Sequence, residues 1–391
     1  MSTATVAPAG RPQPQTTNEA AGGPFVRHAP TGRRAMYVDN QQFGGLMARP
    51  MVSSPGWNQG YRIKVTSTTA AGTGGVISAG AGGVDAPHSL MQLVQMKDAF
   101  GTQLITGPGY AAAFELPLFS GQFGTDSTRD PRLLPSNVPI TAASGAFTFS
   151  TYFPFEFARG YGVISGANAA LLPVLQVNLA PVGTLFSTPP SVSPVLSEQV
   201  DSDFYWLPNV PTDPPGIGTT CQWIYQPCNP TIPSGASQLV QLPRLGGYLT
   251  ALVLELRGAT GLRTADTEWP TRPRIYVDGV PLIDTDFATW QDDIAISFGV
   301  GTNGTPSQTA AATVEVPRPN GVMAINRKTS LSQRDFGLFD TGETFMSTNP
   351  GTQLEVGGFP WGTAANAPNT LNAFVGQVVP TGALVRGLPE V

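Results

Sequence analysis

RLGGYLTALVLELRG, residues 244–258, and RPRIYVDGVPLID, residues 272–284, decide the fold class. In the first run Leu252, Leu254 and Leu256 fall on one side of an extended chain while Val253, Glu255 and Arg257 fall on the other, and the Gly246-Gly247 pair ahead of them discourages a helix. The run predicts a strand. In the second run Asp278-Gly279 separates Ile275-Tyr276-Val277 from Val280-Pro281-Leu282-Ile283. Asp-Gly between apolar runs predicts a tight hairpin, because both residues accept a positive φ. Pro281 has no N–H for a ladder, which places the second arm of the hairpin at a sheet edge. A long strand, a loop and a tight hairpin predict an antiparallel sandwich.

The same texture extends in both directions. Tyr61, Ile63 and Val65 alternate with Arg62 and Lys64, a half-buried strand. SLMQLVQM (89–96), LPVLQVNLAPVGTLFS (172–187), DSDFYWLP (201–208), Ile294/Ile296/Phe298/Val300, TVEV from 313, GVMAIN from 321, TQLEV from 352 and LNAFVGQVV from 371 read as further strands, and YAAAFELPL (110–118) as a strand or a partly buried segment. The aromatic stretch GAFTFSTYFPFEFARGYG (145–162), with Phe147, Phe149, Phe153, Phe155 and Phe157 in alternation, reads as sandwich core in preference to a sugar-binding platform. PNVPTDPPGIG (208–218) is the expected domain boundary. The expected division is an N-terminal arm over 1–56, one sandwich over 57–210, a linker over 211–221, and a second sandwich with a C-terminal tail over 222–391. Each half has the length for eight strands of roughly 6 residues and their loops. The two sandwiches are expected to be separate and similar, and LPVLQVNLAP (172–181) echoes LTALVLELRG (249–258) as a sign of duplication.

Bulk properties fit this reading. Among 391 residues there are 45 Gly and 38 Pro beside a hydrophobic fraction of 41%, so turns are frequent while cores remain affordable. Charged residues are 12% and the net charge is -5, against roughly 25% charged in an average domain; direct nucleic-acid binding is not expected. Cys221 and Cys228, the two cysteines, read as free thiols in preference to one small loop. There is no run of roughly 18 apolar residues and no signal-peptide start, which predicts a protein made and kept in a cytosol unless something larger carries it out.

Chemistry is sparse. His28 lies in the arm and His88 beside Pro87, so no His-based triad or metal pair is suggested. Asp284, Asp286, Asp292, Asp293 and Glu156 are imaginable as glycosidase carboxylates, but aspartates after strands are usually turn formers. Asp201 and Asp203 share a strand face without the companion loop of a calcium site. GTGGVISAGAGG (72–83) lacks the GK[ST] ending of a phosphate loop and reads as a plain loop. Asn303-Gly-Thr reads as a turn. The expectation is a protein without cofactors or enzymatic activity, covered mostly by copies of itself. Residues 1–24 read as a disordered arm. In residues 25–56, Arg27, His28, Arg33 and Arg34 precede Met36, Tyr37, Phe43, Leu46 and Met47, read either as a short amphipathic helix ahead of Gly44-Gly45 or as a tail packed on a neighbour.

RLGGYLTALVLELRG, RPRIYVDGVPLID, GVMAINRKTSLSQRDFGLFDTGETFMSTNPGTQLEVGGFP (321–360) and LNAFVGQVVP (371–380) together resemble the second half of the double jelly-roll major capsid proteins of tailless phages with an internal membrane, the tectivirus type. The resemblance extends over about residues 60–380 in architecture, its recognisable text lying in the second half. It implies an all-β subunit of two side-by-side eight-stranded antiparallel jelly rolls with an N-terminal arm. It further implies a homotrimer of pseudo-hexagonal outline, contacts with neighbouring capsomers and with penton and minor capsid proteins, and a place in the virion shell around an internal membrane. An arm low in the shell would place Arg27, Arg33, Arg34, Met36, Tyr37 and Phe43 near that membrane. Two other classes compete. A phage spike or receptor-binding sandwich should show a shaft repeat, and a secreted carbohydrate-active sandwich should show a signal peptide and exposed catalytic carboxylates.

Overall fold

The computed structural model describes residues 29–50, 56–67, 76–77, 88–112, 147–156, 162–166, 172–206, 219–228, 231–242, 248–298, 321–326, 346–347, 351–364 and 367–380. The strands of the first half are β1 (Thr31–Gln41), β2 (Leu46–Pro50), β3 (Gly56–Ser67), β4 (Val76–Ile77), β5 (Met91–Lys97), β6 (Gln103–Gly107), β7 (Thr148–Pro154), β8 (Ile164–Ser165), β9 (Val174–Leu179), β10 (Phe186–Thr188) and β11 (Leu196–Trp206). Those of the second half are β12 (Thr219–Pro227), β13 (Ala236–Gln241), β14 (Tyr248–Arg257), β15 (Arg274–Val277), β16 (Val280–Asp284), β17 (Val322–Asn326), β18 (Met346–Ser347), β19 (Leu354–Trp361) and β20 (Thr370–Pro380).

Their order repeats. In the first half β1-β11-β3-β7 form one sheet and β2-β9-β5-β6 the other; in the second half β12-β20-β14-β17 and β13-β19-β15-β16 follow the same plan. Each half is thus an eight-stranded, two-sheet Greek-key sandwich, a jelly roll. β1 and β12, β3 and β14, β6 and β16, and β9 and β19 are counterparts. The echo between 172–181 and 249–258 therefore joins β9 to β14, which are not counterparts. Duplication lies in the topology, and that alignment is coincidental.

Alternation builds the sheets as expected. In β3 Tyr61, Ile63 and Val65 are fully buried while Lys64 faces solvent. Phe147, Phe149, Phe153 and Phe155 are buried, with Tyr61 and Phe155 edge to face at 5.4 Å, so the aromatic stretch is core wherever it is described; Phe157 lies outside the described residues. β14 is buried on both faces, Leu252, Leu254 and Leu256 on one and Ala251, Val253 and Glu255 on the other. The hairpin turn has Asp278 at φ 49° and Gly279 at φ 77°, and β15 and β16 pair across it.

Within 172–187, read as strand, Val182–Leu185 is a helical turn between β9 and β10, and the structure corrects the sequence reading in three larger places. First, residues 287–298 are a helix, α1 (Phe287–Phe298), not the start of a strand. Asp286 caps it, accepting from the Thr289 N–H at 2.9 Å and the Thr289 hydroxyl at 2.7 Å, and Trp290 and Ile294, one turn apart, are buried. Second, no helix forms between residues 31 and 50: β1 pairs with β11 and β2 with β9, so this stretch supplies one strand to each sheet of the first sandwich. Third, the sandwiches are not separate. β6 and β12 pair, so that two four-stranded sheets run on as one, and β12 begins at Thr219, inside the expected linker. Residues 208–218, the glycine-rich run 78–83, Asn303 and TVEV from 313 lie outside the described residues, as do 113–118 of YAAAFELPL, whose Gly109–Ala112 neighbourhood is a helical turn.

Candidate assembly surface

The junction between the sandwiches is built from two strand edges. Trp223 pairs with Ile105 and Ile224 with Thr106, the one parallel strand pairing among the described residues. The Gln222 side-chain amide donates to the Gln103 carbonyl at 2.6 Å, and that of Gln377 donates to the Gln222 side-chain oxygen at 2.6 Å, so a glutamine relay crosses from β20 through β12 to β6. Trp223 and Ile105 are fully buried. Two glycines allow the close fit: a Cβ on Gly376 would stand 2.4 Å from the Trp223 ring, and one on Gly107 3.0 Å from the Tyr225 Cβ. Beside the seam Tyr225 donates to Glu255 at 2.7 Å, Arg257 pairs with the same carboxylate, and the Arg263 guanidinium sits 4.8 Å from the centre of the Tyr110 ring. The last contact joins the second half to the first by a cation–π interaction.

Two corresponding edges remain on the outside. Among the described residues β1 has β11 as its strand partner and β16 has β15. β16 exposes Val280, Pro281, Leu282 and Asp284. Val280 is 66% exposed and Val38 of β1 is 60% exposed. Asp284 stands at the base of the hairpin with Arg272 at 2.7 Å and Arg274 at 3.0 Å. Desolvation opposes its ionisation, but the Arg274 hydrogen bond and the two guanidinium charges outweigh that and hold the carboxyl below its usual range. On the outer face of the same sheet Leu239, Arg272, Arg274, Tyr276 and Phe359 line a shallow groove over Gly357 and Gly358. Arginine, tyrosine and phenylalanine on an otherwise weakly charged surface are residues typical of protein interfaces.

Arg33 projects from β1 to Asp203 on β11 at 2.6 Å, and Arg62 on β3 reaches the same carboxylate at 3.3 Å while lying 5.1 Å from the Tyr152 ring centre on β7. This ladder crosses the four long strands of the sheet and raises the Arg33 pKa, chiefly through the Asp203 hydrogen bond. Asp203 is thereby held by arginines, and Asp201 accepts from Gln199 at 3.0 Å, which leaves the pair unlike a calcium site. Met36, Tyr37 and Phe43 pack against the main core, Tyr37 donating to the Met47 Sδ at 3.0 Å and Phe43 lying 5.8 Å from Phe186. Arg34 is exposed on β1, and Arg27 lies outside the described residues. The structure thus brings Arg33, Met36, Tyr37 and Phe43 together on the sandwich itself.

The imagined catalytic groups do not converge. Glu156 accepts from Gln59 at 3.0 Å and Tyr205 at 2.8 Å in the first half, Asp284 belongs to the arginine pair, Asp286 is a helix cap, and Asp292 and Asp293 lie exposed on α1. His88 is buried among aromatic rings, 5.1 Å from Phe149 and 6.4 Å from Tyr110, and desolvation pushes its pKa down to about 4. Cys228 is a buried free thiol, its pKa pushed up to about 12 by desolvation. No helix among the described residues is long and apolar enough to cross a membrane. The seam was missed by sequence reasoning: nothing local in Gln222–Tyr225 names β6, more than a hundred residues earlier, as the partner of β12.

Comparison of the fold with solved structures gives full-length matches. The STIV MCP is similar with a TM-score of 0.59 and 14% identity, covering 92% of this chain and 100% of that one. A chain from the atomic structure of Sulfolobus turreted icosahedral virus matches at 0.59 with 13% identity, covering 92% of this chain and 94% of that one. VP54 of PBCV-1, fitted into a reconstruction of the virophage Sputnik, matches at 0.53 with 12% identity, covering 90% of this chain and 95% of that one. The chain has the double jelly-roll fold of these proteins. No protein-family model matches its sequence, and no curated protein sequence does.

Proposed function

We propose that this chain, a double jelly roll over nearly its whole length, is the major capsid protein of an icosahedral virus. The observation that carries the reading is the coverage: the match to the STIV MCP takes in 92% of this chain and all of that one, both sandwiches included. A chain with two duplicated sandwiches and low charge is suited to tiling, because three copies offer six similar units and keep threefold contacts. Enzymatic activity is not part of the reading, since the candidate acids and bases are dispersed or engaged structurally.

The finer parts rest on the sequence resemblance. They are the tailless-phage, tectivirus-like setting, the homotrimer, the internal membrane, the partners at pentons and other minor proteins, and synthesis in the host cytoplasm before incorporation into the virion. For the membrane-proximal role proposed for residues 25–50, the support is now narrower. Arg33, Arg34, Ala35, Val38 and Leu46 keep exposed surface, Arg33 while paired with Asp203, whereas Met36, Tyr37 and Phe43 pack on the core of the sandwich.

The test is light scattering and negative-stain imaging of the purified protein under assembly conditions. Flat particles with the mass of three chains and hexagonal outline, or closed shells, support the capsid reading; a chain that stays monomeric and forms no shell overturns it. Flotation with anionic vesicles addresses the membrane role, which fails if Arg34→Glu floats as well as the wild type.

A further inference from the structure

The two sandwiches have the same strand order, so the junction between them has a counterpart that one chain cannot make. Inside the chain β6 meets β12 in parallel. The counterpart of β6 is β16 and that of β12 is β1. These strands are left as edges among the described residues, and although Pro281 on β16 and the bulge and arginines of β1 shorten them, each keeps exposed apolar side chains. β16 shows Val280 and Leu282 to solvent and β1 shows Ala35 and Val38. Exposed apolar edge strands invite pairing with another chain and are normally covered.

We propose that β16 of one copy lies parallel to β1 of a second copy, repeating between chains the β6–β12 junction made within each chain. The contact is head to tail, so it does not satisfy itself in a pair; repeated, it alternates with the internal junction and closes when the sandwiches complete a ring. That the ring holds three copies rests on the capsid reading above, whereas the strand equivalence rests on topology.

Counting from the first residue of each strand sets the register used in the test. Ile105 stands two residues into β6 as Leu282 stands two into β16, and Trp223 stands four into β12 as Ala35 stands four into β1. Because Ile105 pairs with Trp223, Leu282 falls beside Ala35, and in a parallel arrangement Val280 falls beside Arg33. Arg33 holds its charged end on Asp203, so its aliphatic stem is available to cover Val280. Pro281 restricts the backbone pairing to a few residues, and the internal junction is equally short, with two paired positions.

Two differently tagged chains, one carrying Ala35→Cys and the other Leu282→Cys, are co-expressed, purified together and oxidised. Adjacent strands bring Cα atoms to about 4.8 Å, within disulfide range. The expected result is a cross-link joining the two tags, no cross-link in either single variant beyond that of the wild type, and, for a chain carrying both cysteines, a ladder on non-reducing gels that ends at three chains. A second measurement uses Val280→Asp, which should keep the wild-type circular dichroism and raise the dissociation constant of the assembly about tenfold or more. If the wild type has the mass of three chains but the two tags do not cross-link and Val280→Asp associates normally, the edge pairing is wrong and the capsid reading survives. If a single variant cross-links to itself, the contact is isologous and the proposal fails. If wild type and variants all remain monomers without shells, the capsid reading fails and takes the trimeric ring with it.

Discussion

Replacing Gly376 by alanine tests the packing at the seam directly. Gly376 lies in β20 opposite Trp223 of β12, and its φ is not among the positive ones, so alanine meets no backbone strain there. The added methyl would approach three atoms of the Trp223 ring at 2.4, 2.6 and 2.8 Å. Those are carbons of a fully buried indole in a continuous sheet, so the ring has to shift or the strands have to separate. Overpacking of this kind costs about 1–3 kcal/mol. Against it stands the gain from a less flexible unfolded chain, about 0.4–1 kcal/mol. The steric loss wins, for a net destabilisation of about 1–2 kcal/mol, which at the size of one sandwich lowers Tm by roughly 2–8 °C. The assay is a thermal melt followed by near-ultraviolet circular dichroism, with the same substitution repeated in a Trp223→Leu background. Removing the ring opens space for the methyl, so the two changes should couple favourably by about 1 kcal/mol or more. A Gly376→Ala protein as stable as wild type, or an equal loss in both backgrounds, would refute the reasoning that the glycine is there to admit the indole.

Three further outcomes are expected. His88 has a folded pKa of about 4 against roughly 6.5 unfolded, so between those values the unfolded chain binds the extra proton. Stability should therefore fall as pH drops from 6.5 toward 4, by up to about 3 kcal/mol; His88→Phe should flatten the part of the Tm profile between pH 6.5 and 5, and an unchanged slope would count against this assignment. Glu268 is buried and accepts from the Thr363 N–H at 2.6 Å, the Thr363 hydroxyl and the Asn369 amide at 3.2 Å. Glu268→Gln, which introduces two donors among donors, should cost about 1.5–3 kcal/mol in urea unfolding, and a loss below about 0.5 kcal/mol would show the carboxylate to be dispensable. Deleting residues 1–28 should leave the far-ultraviolet spectrum and melting cooperativity of the sandwiches intact, whereas deleting 1–50 removes β1 and β2 and should abolish the folded first sandwich; equal stability of the two truncations is the contrary result.

The legible parts of the fold are those where one local rule dominates. Tyr61, Ile63 and Val65 alternate without interruption, and Asp278-Gly279 is a turn because it accepts positive φ. The illegible parts are those where two rules overlap. Ile294, Ile296 and Phe298 alternate like a strand, but Asp286 and Thr289 form a cap and Trp290 and Ile294 stand four apart, a helical signal obscured by the short alternation. In β1 a bulge between Ala35 and Tyr37 shifts the register, so Met36 and Tyr37 are both half-buried in succession and the period of two is lost. That loss made a strand resemble a weak amphipathic helix. The candidate surface was less legible still. The exposed hairpin edge was foreshadowed by Pro281, but the identity of its neighbour depends on contacts between residues far apart in sequence, which no local pattern encodes.

The shared sheet changes what duplication implies for the chain. Two sandwiches joined by a linker alone would be free to reorient, since ordinary interdomain contacts are small and polar. Here the backbone pairing of β6 with β12, the glutamine relay and the buried Trp223 fix one sandwich against the other, and a single apolar cluster includes residues from both halves. The relative placement of β16 and β1 is consequently set within each chain before any second copy arrives. A preset pair of edges loses less conformational freedom on association than two mobile ones. Rigidity at the internal junction thus favours the same junction between copies, and a loosened seam, as in Gly376→Ala, should weaken assembly as well as folding.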